Sequence, residues 1–233
     1  MTRSSPTARL PPGQSAIRRF PRFGTHLHHP PPAVPTEPTL AVGGAVSEPL
    51  TLSLRELRTL PRREVVADFH CVAGWSATGL RWEGVPFAAF YREVLAPRAA
   101  GTATHVKFVG RDGHWSVALL ADVLGDDVLL AEHLDGRPLD GDHGAPLRLV
   151  SPSQYGFVNT KHLCRIELLT AEPATCVGSA TTKAHVGLRL FGYKRFVRAR
   201  VWEQERHRFL PPRLVREMSR LLIPGIRRLS GRR

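Results

Sequence analysis

Asp68-Phe69-His70-Cys71-Val72-Ala73-Gly74-Trp75-Ser76 places a short apolar run, Val65 to Phe69, directly before a cysteine and a glycine-bearing segment. The run has the length and β-branched content of a strand, so it delivers His70 and Cys71 into a loop. Taken alone, Cys71 reads as a small buried hydrophobe. A thiolate is also a nucleophile or a soft-metal ligand, and the Gly in Val72-Ala73-Gly74-Trp75-Ser76 lets a bulky ligand approach the backbone. Both readings stand at this level.

Outward from this stretch the pattern is of short apolar runs between turns. Leu40 to Val46 and Leu50 to Leu54 are strand-length, and Ser53-Leu54-Arg55-Glu56 has capping-box spacing for a short helix that Pro61 ends. Pro86 to Leu95 is expected to be helical, with Pro in the first turn. His105 to Val109 and Trp115 to Leu119 flank the Asp112-Gly113 turn and predict a hairpin; Val128 to Leu134, Asp135-Gly136 and Pro138-Leu139 predict a second. Arg148 to Val150 and Leu163 to Leu169 read as further strands. Short strands with scattered short helices and no regular βαβ alternation indicate an α+β fold. No internal repeat is present.

The chain has 233 residues and a net charge of +13, distributed unevenly. Residues 1–38 hold five Arg and one Glu, residues 39–182 thirteen Lys/Arg and sixteen Asp/Glu, and residues 183–233 fifteen Lys/Arg and three Asp/Glu. The division suggests a Pro/Arg-rich arm over 1–38, a mildly acidic domain over 39–182 and a basic extension over 183–233. In the last, Leu210, Leu214, Val215, Met218, Leu221 and Leu222 recur at helical spacing with Arg213, Arg216 and Arg220 between them, an amphipathic helix that Pro224 ends. Its arginine face suits solvent, a partner or an anionic surface. Nothing resembles a zinc finger or an RNA-binding signature, so nucleic acid is not an expected partner. His28 and His29, beside Pro30-Pro31-Pro32, read as part of a solvated arm. No apolar run is long enough to cross a bilayer, and Met1 to Arg22 lacks a signal-peptide core, so a cytoplasmic protein is expected.

Cys71, Cys164 and Cys176 are odd in number and lie 93 and 12 residues apart, matching neither a disulfide framework nor a Cys-x-x-Cys metal site. The decisive signal is composite. Asp68 to Ser76 with Arg81-Trp82-Glu83-Gly84-Val85-Pro86, and then His143-Gly144-Ala145-Pro146-Leu147-Arg148-Leu149-Val150 with Pro152, Tyr155-Gly156-Phe157 and Lys161, resemble the two signatures of the sulfite oxidase family of molybdopterin enzymes. The likeness spans about Leu40 to Leu169. It is nearest the bacterial branch containing the catalytic subunit of the periplasmic methionine-sulfoxide reductase.

That resemblance implies a Mo-molybdopterin cofactor, its metal held by two dithiolene sulfurs and one protein thiolate. Cys71 takes the thiolate position, as metal ligand and catalytic residue. Arg148 stands at a cofactor contact, Asn159, Thr160 and Lys161 on the segment that holds the phosphate, and His143 where the family donates to the pterin. Without the motifs these would read as a surface ion pair, a solvated lysine and a turn histidine. His70 is either a hydrogen-bonding neighbour of the thiolate or a strand-end residue pointing away. Trp75 and Tyr155 wall the pocket or belong to the core.

Four departures modify the expectation. The arginines that follow the cysteine in sulfite oxidases are replaced by Ala73-Gly74-Trp75-Ser76, although Arg81 or Arg111 can enter from elsewhere. A family position that often carries a hydroxyl falls at Gly110, and the usual Lys-Trp pair reads Lys161-His162. The N-terminal segment that contacts the pterin is poorly matched, with Arg19-Phe20-Pro21 in its place. The expected function is oxygen-atom transfer to or from a small substrate, an S-oxide or N-oxide ahead of a sulfite-like one, with a separate electron donor or acceptor protein. The alternative is a retired fold of the same family that binds an acidic partner, anionic membrane surface or nucleic acid through its basic tail.

Overall fold

The computed structural model describes residues 9–22, 30–179, 198–205 and 221. Two six-stranded sheets make up the fold. The first contains β1 (Ser15–Ile17), β4 (Arg63–His70), β5 (Trp75–Pro86), β8 (Leu129–Leu134), β9 (Arg137–Pro138) and β10 (Arg148–Val150). In it β5 is central, pairing with β1, β4 and β8, while β8 carries β9 and β10. The second runs β12 (Val177–Ser179), β7 (His114–Leu119), β6 (His105–Gly110), β11 (Leu163–Leu169), β2 (Thr39–Gly44), β3 (Leu50–Ser53). Pairing is antiparallel except for β1 with β5 and β2 with β11. Among the described residues, mixed sheets with short helices are the α+β architecture expected.

Local chemistry explains most of these elements. Helix α1 (Leu54–Leu57) starts at the predicted capping box: Glu56 N–H donates to Ser53 Oγ at 3.2 Å, and Ser53 N–H to the Glu56 carboxylate at 2.7 Å. Helix α2 (Phe87–Phe90) continues as a π turn through Leu95; Pro86 stands just outside it as the N-cap residue. Both predicted hairpins form, through Gly113 and through Asp135-Gly136. Helix α3 (Leu120–Val123) follows β7 directly.

The first sheet buries both faces, and strand parity sorts its side chains. Leu130 and Leu149 join the main core with Leu40, Phe87, Phe108 and Ile166. Leu129, Ala131 and Val150, one step out of phase, join a second cluster with Ile17, Phe69, Cys71, Trp75 and Trp82. Arg148 has the same parity as Val150.

Several segments differ from expectation. Part of the N-terminal arm is a strand, because Ser15–Ile17 continue the ladder beside Trp75–Ala77. The chain after Cys71 is a tight turn leading into twelve residues of β5, not a longer loop. His28, His29 and the 210–222 helix, Leu221 apart, lie outside the described residues.

Candidate active site

Cys71 ends β4 in a turn closed by its own N–H on Trp75 O at 2.8 Å and by Gly74 N–H on Cys71 O at 3.0 Å. Gly74 sits at φ 87°, which a glycine adopts without strain, so the motif's glycine is required by the turn. The thiol is 7% exposed, at the edge of the second cluster. Behind it lies a buried chain of hydrogen bonds. Gln14 Nε2 donates to Cys71 O at 3.1 Å, Ser76 Oγ donates to Gln14 Oε1 at 3.0 Å, and His70 Nδ1 meets Ser76 Oγ at 2.7 Å. With the hydroxyl proton committed to Gln14, His70 presents Nδ1–H to Ser76. Burial pushes the His70 imidazole below its usual pKa, partly offset by Asp68. His70 therefore joins the shell behind Cys71, through Ser76 and Gln14.

Arg148 is the unusual member of this face, with a fully buried guanidinium. Its nitrogens donate to three carbonyls, His143 O at 2.8 Å, Leu149 O at 3.4 Å and Asn159 O at 3.4 Å. Its flanks are aromatic: Trp82 at 4.9 Å, Phe69 at 5.6 Å and Phe20 at 5.8 Å from the guanidinium carbon. Among the described residues no carboxylate forms an ion pair with it. Desolvation pulls its pKa down to about 9. The adjacent Trp82 Nε1–H is buried without an acceptor among the described residues.

More cationic charge converges on the same place. Lys161 Nζ donates to Asp142 O at 2.5 Å, and Arg22 lies 3.9 Å from the Asp142 carboxylate. Burial, then repulsion from Arg148 and Arg22, lowers the Lys161 pKa to about 7. His143 is held at both ends, Nδ1 to Asp140 at 2.7 Å and Nε2 to Phe20 O at 3.1 Å, and its carbonyl receives Arg148. Arg148, Lys161 and Arg22 converge here with the Asp142 carboxylate beside Arg22, while the buried Arg148 itself has only carbonyls and rings around it among the described residues.

The structure thus brings Cys71, His143, Arg148 and Lys161 to one region and gives Asn159 and Thr160 other work. The Asn159 side chain receives Ser151 N–H at 2.7 Å and donates towards Ser151, Gln154 and Tyr155 carbonyls at 3.3–3.5 Å. Thr160 Oγ1 bonds Ser116 Oγ at 2.8 Å, and its N–H is spent on Val158 O. Both side chains shape the segment, whose Asn159 carbonyl receives Arg148 and whose Lys161 turns to the Asp142 carbonyl.

Neither expected outside arginine enters. Arg81 pairs with Glu64 at 2.9 Å on the exposed strand surface, and Arg111 is exposed at the β6–β7 turn. A Cβ at Gly110 would fall on the Lys161 carbonyl, so no hydroxyl-bearing side chain fits there. Tyr155 is fully buried and stacks on Phe157, a core position. Trp75 packs 5.7 Å from Phe69 within the cluster. Sequence reasoning missed Gln14, Arg22 and the reach of Phe20, whose ring lies 4.7 Å from Phe69 and 4.9 Å from His143. The Arg19-Phe20-Pro21 segment does contact the site; Pro/Arg composition concealed it as an arm.

The other cysteines are ill suited to a thiolate role. Burial raises the Cys164 thiol, and burial with the neighbouring Glu172 pushes Cys176 up to about 12. No disulfide links the three.

A buried cation without a carboxylate, an indole N–H without an acceptor and a cysteine on the same sheet face fit an oxygen-rich anionic cofactor. Residues 26–177 match the family model of the oxidoreductase molybdopterin binding domain, and the chain belongs to that family. It is a molybdenum-dependent oxidoreductase of the sulfite-oxidase-like group, and its cofactor is molybdopterin. The retired-fold alternative gives way to this assignment. The chain is 34% identical over 170 residues to the uncharacterized oxidoreductase YuiH of Bacillus subtilis (strain 168), covering 70% of this chain and 81% of that one. It is 32% identical over 181 residues to the protein-methionine-sulfoxide reductase catalytic subunit MsrP of Xanthomonas axonopodis pv. citri (strain 306), covering 69% of this chain and only 55% of that one. The sulfane dehydrogenase SoxCD of Paracoccus pantotrophus shares the fold, with a TM-score of 0.51 and 21% identity over 63% of this chain and 40% of that one.

Proposed function

We propose that this chain catalyses oxygen-atom transfer on a small S-oxide or N-oxide, with Cys71 as the protein ligand to the cofactor's metal and a separate protein as electron donor or acceptor. The observation that carries the reading is the buried, carboxylate-free Arg148 on the sheet face that also presents Cys71. When bound, molybdopterin supplies a metal that changes oxidation state as an oxygen atom moves. The chain's own part is to bind and orient. Cys71 is fixed by its turn and by Gln14 on its carbonyl; Arg148 and Lys161 supply positive charge for the cofactor's anionic groups; His143 holds the Arg148 nitrogen through its carbonyl. Phe20, Phe69, Trp75 and Trp82 exclude water from that charge, which strengthens it.

The residues after Cys71 support a neutral oxide. Val72, Ala73 and Trp75 pack with the second cluster, and neither Arg81 nor Arg111 turns towards it. Turnover assays with a reduced dye and S-oxides, N-oxides or, in the opposite direction, sulfite distinguish these substrates. Oxide reduction is expected to be lost in Cys71→Ser and kept in Cys164→Ser and Cys176→Ser. Sulfite oxidation as the dominant activity, or full turnover in Cys71→Ser, would contradict the reading.

A further inference from the structure

Residues 198–205 lie beyond the segment matched by the family model, within the stretch whose charge suggested an appended tail. Their geometry is that of a built-in part. Tyr155 N–H donates to Ala199 O at 2.9 Å, Val201 N–H to Ser153 O at 2.9 Å, and Gln154 Nε2 to Arg198 O at 2.6 Å. Ala199 and Val201 are fully buried, and Arg200 pairs with Asp122 of α3 at 2.7 Å. Ala199 is held at φ 48°, a left-handed conformation that a non-glycine residue adopts only when its surroundings enforce it.

The loop seized in this way, residues 151–159, touches both halves of the site. Gly156 N–H donates to His70 O at 2.8 Å, next to Cys71. At the other end the Asn159 carbonyl receives Arg148 at 3.4 Å. Gln154 joins the two systems. Its Nε2 must face the Arg198 carbonyl, since its oxygen would be repelled there, so its Oε1 is left to accept from Ser151 Oγ at 2.9 Å. Ser151 N–H in turn holds Asn159 Oδ1 at 2.7 Å. From the exposed Arg198 the path to Arg148 runs through hydrogen bonds of the buried Gln154, Ser151 and Asn159.

We propose that residues 198–205 are a positioning clasp that fixes the 151–159 loop and, through it, the placement of Arg148 and of the strand end bearing Cys71. The inference rests on the proposed cofactor role of those two residues. It predicts that the clasp governs cofactor retention, with Gln154 as a positioning residue.

The test compares full-length wild type with Gln154→Ala, Gln154→Glu and, as a stability control remote from the clasp, Arg62→Ala. Gln154→Glu keeps an acceptor for Ser151 but sets a carboxylate against the Arg198 carbonyl. Two quantities are measured: pterin released per protein from a host that makes molybdopterin, and hydrogen exchange at the Gly156 amide in cofactor-free protein. Both Gln154 variants are expected to retain at least about fivefold less pterin, the scale of one lost buried hydrogen bond, while Arg62→Ala retains the wild-type amount. Gly156 is expected to exchange at least about tenfold faster in both Gln154 variants. Wild-type pterin content and wild-type Gly156 protection in Gln154→Glu would overturn the clasp. A wild type that carries no pterin would overturn the cofactor reading instead, and the exchange comparison would still decide the clasp.

Discussion

Arg148 serves two demands that pull apart. Stability is poorly served by a buried cation whose partners are carbonyls and rings, whereas the cofactor-binding role proposed for it calls for that cation. Replacing it with Met keeps the volume and the aromatic packing. Arg148→Met is predicted to change the stability of the cofactor-free protein by no more than about 2 kcal/mol, because relief from desolvation offsets three lost hydrogen bonds, yet to abolish pterin retention. Calorimetry beside a pterin assay checks both halves, and a variant that keeps its pterin would remove Arg148 from the site. Lys161 gives a pH signature. Its pKa in the fold is depressed to about 7, so it is cationic below that pH and loses its charge as pH rises through it. Anion binding by the cofactor-free protein should weaken over the same rise. Sulfate, whose own charge is constant in this range, is the probe, and the loss should be absent in Lys161→Met. At this scale the grouping of Cys71, His143, Arg148 and Lys161 is legible in the sequence because motif and chemistry coincide. The inward turn of the Asn159 and Thr160 side chains, to Ser151 and to Ser116 of β7, is not, since only coordinates show it.

Among the elements, the 151–159 loop and the β4–β5 turn set the tolerances. Gly156 lies so close to the Phe69 ring that a Cβ would fall on it, and that ring also flanks Arg148. Gly156→Ala is predicted to destabilise the fold by about 1–3 kcal/mol through overpacking and to lower pterin content with it. Ser53→Ala, which removes the α1 cap far along the chain from these residues, is predicted to lose about 1 kcal/mol while leaving pterin content unchanged. Thermal unfolding and pterin release separate the two outcomes. Hairpins and the capping box were readable because turn residues at fixed offsets carry their own mechanism. Strand β5 was not, since Gly79 and Gly84 interrupt its alternation and the strand buries residues on both faces. Strand β1 was hidden because a three-residue edge strand among prolines has no periodicity to detect.

For the whole molecule, the parity of the first sheet is the organising fact. One face completes the main core; the other carries the cysteine, the buried arginine and the aromatic residues between them. No helix among the described residues is long and apolar enough to cross a membrane. Residues 206–233 hold nine arginines against Glu217. Removing them is predicted to leave pterin content intact and to abolish binding to vesicles rich in anionic lipid, binding that in the full chain should weaken steeply with salt. Vesicle co-sedimentation at two ionic strengths reads this directly, and undiminished binding after the deletion would exclude the tail.

The most direct test of the central claim is to count the sulfur ligands of molybdenum by X-ray absorption in wild type and Cys71→Ser, each loaded in a host that makes the cofactor. One sulfur fewer in the variant is the predicted result. The same sulfur count in both proteins, or a well-folded wild type without molybdenum, would contradict the account.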